Sequence, residues 1–465
     1  MNLPDNIEEL KQLIYKLIEE NNNLKQEVCE LKSKLNQNSS NSSKPPSSDY
    51  FKRKPAFVQP SKGKKGGQIG HKGDTLNQID NPDKVIACYP VDCDCGHKFS
   101  TDEFYFTEKR QVFDLPPPKL EVTEYQIFSV KCKSCNKIHR GNTPKNINSQ
   151  VQYGNGVRAY ITLLNTVYKL PYKKVQMLFK DLFGYPINES TIYSTNVRCY
   201  DNLKKSEKII LDKLLKEEVI HADETGVKIE KKNNWLHILS SNQYTYEFVH
   251  QKRGKEAILS EQSIIEKLEN WLVHDCWSSY FNIKNVKHAL CGAHLIRELQ
   301  GVIDNNKKNS WAIDMKKYLL AINKMEFKQR LEKKDALEKR YKQICCKAEI
   351  IEPPPKKVIG KRGKPKKTKA RNLIERLIKH QEAVLAFAFN ESVPFTNNLA
   401  ERDLRPVKIK LKISNCFRSF EGATVYARID SFVSTARKNA KNIFVELKNT
   451  FEGQNFLTLS TTYET

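Results

Sequence analysis

The chain has 465 residues and a formal charge of +25, from 79 Lys+Arg against 54 Asp+Glu, with an isoelectric point near 9.4. That length accommodates several domains, and the cationic excess points to a polyanionic partner, either nucleic acid or an anionic membrane surface. No apolar run reaches the roughly 18–20 residues that span a bilayer, and no signal peptide opens the sequence. The 12 cysteines are scattered along the chain, which reads as thiols and a metal site rather than a disulfide framework. These features argue against a membrane or secreted protein and favour a cytoplasmic one that binds nucleic acid.

Residues 1–36 carry a heptad pattern. Ile7, Ile14, Asn21, Val28 and Leu35 fall at a, and Leu10, Leu17, Leu24 and Leu31 at d. β-Branched residues at a with leucine at d favour a parallel two-stranded coil, and a lone Asn21 at a fixes register. Glu20 and Glu27 at g precede Lys25 and Lys32 at e, which suits pairing between two copies. A homodimer through this zipper is expected; an amphipathic helix packed on its own chain is the alternative. Residues 37–84 read as a flexible basic linker, entered through "NQNSSNSSKPPSSD" (Asn36 to Asp49) and continuing through "GKKGGQIGHKGDTL".

Residues 85–145 read as a small β-rich module. "FYFTEKRQVFDL" and "LEVTEYQIFSVKC" alternate apolar and polar residues as strands do. Cys132 and Cys135 make a CxxC knuckle, and Cys93 and Cys95 stand upstream in "CYPVDCDCGHK". Four such ligands from two loops suit a tetrahedral structural Zn²⁺ site, with Cys88 or His97 as possible substitutes in the less regular upstream pair. Residues 146–216 read as three helices with helix-turn-helix character, the third capped by Asn188 or Ser190.

From 217 to 299 the order is strand, strand, strand, amphipathic helix ("GKEAILSEQSIIEKLENW"), strand. Three antiparallel strands, a crossover helix and a parallel strand beside the first open a ribonuclease-H-like α/β core. In such a core, Asp223 of "EEVIHADETG" and Asp275 of "WLVHDCWSSY" lie at adjoining strand ends. Alone, two such aspartates would also suit turns and caps. Residues 300–394 read as a helical insertion with a basic loop between Lys356 and Arg371, open to phosphates. Residues 395–440 complete the core, and 441–465 form a tail.

The stretch "FTNNLAERDLRPVKIKLKISNCFRS" places Glu401 on a helix capped by Thr396 or Asn397 and ended by Pro406. Against the sheet, that helix would bring Glu401 to Asp223 and Asp275. Three converging carboxylates need cations, and two Mg²⁺ (or Mn²⁺) ions would supply them. Arg402, Arg405, Lys408, Lys410, Lys412 and Arg418 would then hold a DNA backbone.

The ordered series "NSSNSSKPPSSD", "GGQIGHKGDTL", "HADETGV", "HDCWSSY", "CGAHLIREL", "NNLAERDLRP" and "FRSFEGA" resembles bacterial transposases of the insertion-sequence-sixty-six family. The resemblance implies a DDE enzyme that cuts element ends and joins them to target double-stranded DNA, with Asp223, Asp275 and Glu401 as catalytic metal ligands. It implies a nucleoid-associated bacterial location and accessory proteins encoded by the same element. Cys291 and His294 match the family's CxxH, expected to brace the insertion. One departure is Thr396, where the family usually has aspartate. The alternative function is a dimeric zinc-containing DNA-binding regulator with an inactive core.

Overall fold

The computed structural model describes residues 6–42, 76–90, 93–144, 146–306, 309–355, 365 and 367–460. Most of the basic linker, and residues 356–364 and 366 of the basic loop, lie outside the described residues. The fold is mixed α/β with a helical majority around one five-stranded sheet. No helix among the described residues is long and apolar enough to cross a membrane.

Helix α1 (Ile7–Asn36) starts at Asn6, whose side chain accepts the Glu8 N–H. Its apolar seam is exposed on the single chain; Leu17, Leu24 and Leu31 are more than half exposed. Just beyond its end Asn41 is buried, and its amide donates to Asp304 Oδ2 at 2.9 Å. The first linker residues are therefore docked.

Strands β1 (Ser129–Lys131) and β2 (Ile138–Arg140) form a short antiparallel hairpin. The longer strands expected over 104–115 and 120–132 are absent apart from β1. Val112, Leu115 and Val122 are at least 85% exposed, so the alternation has no second layer to pack against.

The helical region begins with α2 (Asn155–Thr162), which runs into a buried π-turn at Leu163–Val167. Helix α3 (Tyr172–Phe183) closes on Gly184, whose φ of 74° is the left-handed stop that glycine takes without strain. The expected third helix divides at fully buried Leu203 into α4 (Glu189–Asn202) and α5 (Lys204–Leu214). Asn188 is the N-cap of α4 but makes no side-chain cap bond.

Strands β3 (Val219–Ile229) and β4 (Lys232–Ser240) pair antiparallel through a two-residue turn, Glu230 and Lys231, both at positive φ. Strand β5 (Thr245–His250) adds to β4. The crossover then contains only α6 (Lys255–Ile258) and a 3₁₀ turn at Ile265–Lys267, in place of the long helix expected over 254–271. Its serines turn the chain locally: Ser260 Oγ donates to the Ala257 carbonyl, and Ser263 Oγ accepts the Ile265 N–H. Ile258, Ile264 and Leu268 still reach the core. Strands β6 (Trp271–His274) and β7 (Lys287–Leu290) follow in parallel, giving the order β5-β4-β3-β6-β7.

Helices α7 (Gly292–Asn305), α8 (Ser310–Lys324), α9 (Phe327–Glu332), α10 (Lys334–Ile351), α11 (Lys369–Lys379) and α12 (Gln381–Phe389) then stack beside β7. Trp311, Met315, Leu319 and Tyr341 share their core with Val273 and Ala289 of the sheet. The insertion is thus an extension of the main core.

The chain returns through α13 (Asn398–Asp403) and α14 (Arg405–Ser414). Pro406 does not end the first of these: it sits in the opening turn of the second, where its missing N–H costs nothing. Helix α15 (Phe420–Lys438) packs on β5, burying Ile429, Phe432 and Val433, each contributing roughly 1.5–3 kcal/mol. Residues 441–460 are not a tail. Helices α16 (Ile443–Phe451) and α17 (Phe456–Ser460) bury Leu447, Phe451 and Leu457 in the same core, so their apolar spacing is a packing face.

Candidate active site and metal centres

Asp223 lies within β3 rather than at its end. The parallel register with β6 stops at His221 opposite Val273. Asp223 is two residues beyond His221, and Asp275 two beyond Val273, which sets the two aspartates side by side where β6 finishes. Asp223 Oδ1 accepts the Glu224 N–H at 2.9 Å, and Asp275 Oδ1 accepts the Trp277 N–H at 3.0 Å.

Burial pushes the Asp223 carboxyl up to about 7, with further upward pressure from Glu224 and Asp275 and relief from Lys408. Asp275 is raised by burial too, opposed by the Trp277 N–H and by Arg253. These cations offset the carboxylate cluster only in part, and its remaining oxygens are the donor chemistry a hard divalent cation fits.

Residues the sequence reading passed over surround this pair. Glu224 is buried, accepting from Tyr280 Oη at 2.7 Å and pairing with Arg253 Nη2 at 2.7 Å. The Arg253 guanidinium lies over the rings of Trp277 (4.3 Å) and Trp235 (4.9 Å). An acidic residue next to Asp223 was visible in the sequence, but the Arg253 and Tyr280 partners come from separate loops.

Glu401 is placed by Asn397, the buried N-cap of α13. The Asn397 amide donates to the Ala222 carbonyl at 2.8 Å, its oxygen meets His221 Nδ1 at 2.8 Å, and its N–H donates to Cys291 Sγ at 3.1 Å. The Glu218 carbonyl accepts from Trp271, so carbonyls two apart along β3 face β6. At Ala222, where β6 is ending, Asn397 supplies the donor. The α13 helix is thus anchored one residue from Asp223. The Glu401 carboxylate itself pairs with His294 Nδ1 and Arg297 Nη2, each at 3.6 Å.

Among the predicted backbone contacts, Arg402, Arg405, Lys408, Lys412 and Arg418 are exposed. Lys410 is half-buried, and burial with Lys169 nearby pushes its ammonium down to about 8.

The four cysteines of the N-terminal module form two separate pairs. Cys93 and Cys95 Sγ lie 3.1 Å apart. Cys132 and Cys135 occupy the β1–β2 turn, where backbone N–H groups of Cys135 and Ser134 lower the Cys132 thiol. Each pair fits half of a tetrahedral site. The two do not meet at one point, because the only group of three or more ligating side chains among the described residues is Cys291, His294 and Glu401. Cys88 is exposed, and His97 pairs with Glu103 at 3.2 Å.

Residues 150–425 match the model of the Transposase IS66 family, and residues 91–136 match the zinc-finger binding domain of transposase IS66. Residues 2–77 match a family of unknown function (DUF6444). No curated protein matches the chain. The zinc-finger match spans both cysteine pairs and supports a structural Zn²⁺ there, and with the transposase match it implies DNA binding. With well over half its length covered by one family model, the chain belongs to the IS66 family of transposases.

Proposed function

We propose that the protein is a DDE transposase that cuts the ends of an insertion sequence and joins them to target DNA. The observation that carries this reading is the adjacency of Asp223 and Asp275 on neighbouring parallel strands. The sheet order, three antiparallel strands followed by two parallel to the first, supports a ribonuclease-H-like core.

Asp223 and Asp275 would hold Mg²⁺ or Mn²⁺, with Glu401 completing the set from α13. When bound, a pair of such ions activates the attacking oxygen and stabilises the leaving one. The chain's own residues do the rest. Asn397 holds the Glu401 helix on β3, and Arg253 offsets the charge of Glu224 beside the aspartates. Exposed Arg402, Arg405, Lys408 and Lys412 of α13 and α14, with Arg418 beyond them, bind phosphates, and half-buried Lys410 contributes less.

The exposed seam of α1 supports a zipper homodimer, which would pair two element ends. A soluble, nucleoid-associated protein and accessory proteins from the same element accompany this reading. The test incubates the full chain with its element's ends and Mg²⁺ and resolves products on a denaturing gel. Nicked and joined strands are expected from wild type, and neither from Asp223→Asn, Asp275→Asn or Glu401→Gln, with DNA binding retained. Equal nicking by all three variants would refute the assignment, and DNA binding without nicking by wild type would favour the regulator.

A further inference from the structure

Cys291, His294 and Glu401 come from two elements that meet only in the fold. Cys291 is the N-cap of α7, and His294 follows within the first turn of that helix. Glu401 arrives on α13 after the whole insertion. One ligand atom from each of the three lies within 4.8 Å of the others.

Two of these atoms are short of partners. His294 Nδ1 and Glu401 Oε1 are buried with no hydrogen bond, although they lie 3.6 Å apart. That gap exceeds the roughly 2.7–3.2 Å of a hydrogen bond. It does match the edge of a tetrahedron whose centre bonds nitrogen and oxygen at about 2.0–2.2 Å. The Cys291 side chain is 1% exposed, and its sulfur already accepts the Asn397 N–H, a contact that also stabilises ligating thiolates.

We propose that Cys291 Sγ, His294 Nδ1 and Glu401 Oε1 bind one zinc-class ion, separate from the zinc finger and adjoining the proposed magnesium site, with which it shares Glu401. A thiolate and an imidazole select Zn²⁺ or Co²⁺ over Mg²⁺. Three protein ligands leave a fourth position open. The ion ties α13 to α7 and so fixes the glutamate helix against the insertion, while Glu401 keeps Oε2 for other chemistry. The proposal goes beyond the transposase reading and stands on metal content alone. The competing account is that Arg297 alone neutralises Glu401 and the site stays metal-free.

The test loads the metal-stripped full chain with Co²⁺ and records absorption and bound metal. The background carries Cys93→Ser, Cys95→Ser, Cys132→Ser and Cys135→Ser, which removes the finger ligands. One Co²⁺ per chain with tetrahedral visible bands and a thiolate-to-cobalt band of single-sulfur strength is expected, counted by that band apart from any Co²⁺ on the carboxylates of Asp223 and Asp275. Adding Cys291→Ser abolishes the thiolate band, and adding His294→Gln weakens binding by about tenfold or more. Far-ultraviolet circular dichroism checks each variant's fold, and if Cys291→Ser does not fold, His294→Gln decides by the same titration. No thiolate-to-cobalt band in the finger-free background, or a band that the Cys291 and His294 changes leave intact, would overturn the proposal.

Discussion

Asn397→Ala removes the side chain that seats the Glu401 helix on β3. The Asn397 amide nitrogen donates to the Ala222 carbonyl, so the oxygen faces His221, whose Nδ1 must carry the proton. Asn397 is 1% exposed, and water cannot readily replace either bond. Leaving one buried carbonyl and one ring N–H unpaired costs about 1–3 kcal/mol each, or roughly 2–4 kcal/mol together after partial relaxation. Tenfold corresponds to about 1.4 kcal/mol, so opening of α13 should become roughly 30- to 1000-fold more frequent. Amide hydrogen exchange of the peptide spanning residues 398–403 reads this directly, with α8 as an internal reference. Asn397→Asp should not rescue it, because a second oxygen then faces the Ala222 carbonyl. Exchange of α13 within about threefold of wild type, at unchanged α8 exchange, would refute this account of how Glu401 is held.

Three further outcomes follow from the packing and charge. Gly292 donates to the Phe395 carbonyl at 2.7 Å, and a Cβ at that position would meet Phe395 Cδ2 at 2.7 Å, on a ring already held edge-on by Phe387. Gly292→Ala should therefore lower the urea midpoint by an amount worth about 1–3 kcal/mol, and Phe395→Leu in the same chain should recover part of it. Glu247 is 2% exposed, and both its oxygens lack hydrogen bonds. Burial, then Asp430, raises its carboxyl, with Lys169 and Lys438 opposing. Its folded-state value exceeds the unfolded one, so it adds most stability below the unfolded value and loses it as pH rises. Glu247→Gln should accordingly stabilise the protein more at pH 8 than at pH 5 in denaturant unfolding. On the DNA side, Lys408→Ala and Arg418→Ala should each reduce the salt dependence of binding by about 0.9 in the log–log slope, with a smaller change for half-buried Lys410→Ala.

Strand-period alternation was a good guide where a sheet had covering layers. "EEVIHADETGVKI" is β3, buried on both faces by helices, and Asp223 could be placed beside Asp275 from sequence alone. The same alternation misled over 104–128, where Phe104 meets the rings of Tyr89 and Phe99 but no layer covers Val112, Leu115 or Val122. Helical spacing misled over 254–271, because Ser260 and Ser263 offer the backbone local bonds while the apolar residues still turn inward. Pro406 read as a stop because a proline signal does not say which side of it the helix lies on. The CxxH spacing of Cys291 and His294 was legible, as was Glu401. Their meeting was not, since Asn397, which docks the glutamate helix on Cys291, is 106 positions away along the chain.

The account turns on whether Asp223 and Asp275 together hold divalent cations. Electron paramagnetic resonance of Mn²⁺ titrated into the full chain with its DNA ends measures that directly. The account predicts tightly bound Mn²⁺ in wild type, and its loss from the bound signal in both Asp223→Asn and Asp275→Asn. Wild-type Mn²⁺ binding that persists in both variants would contradict it.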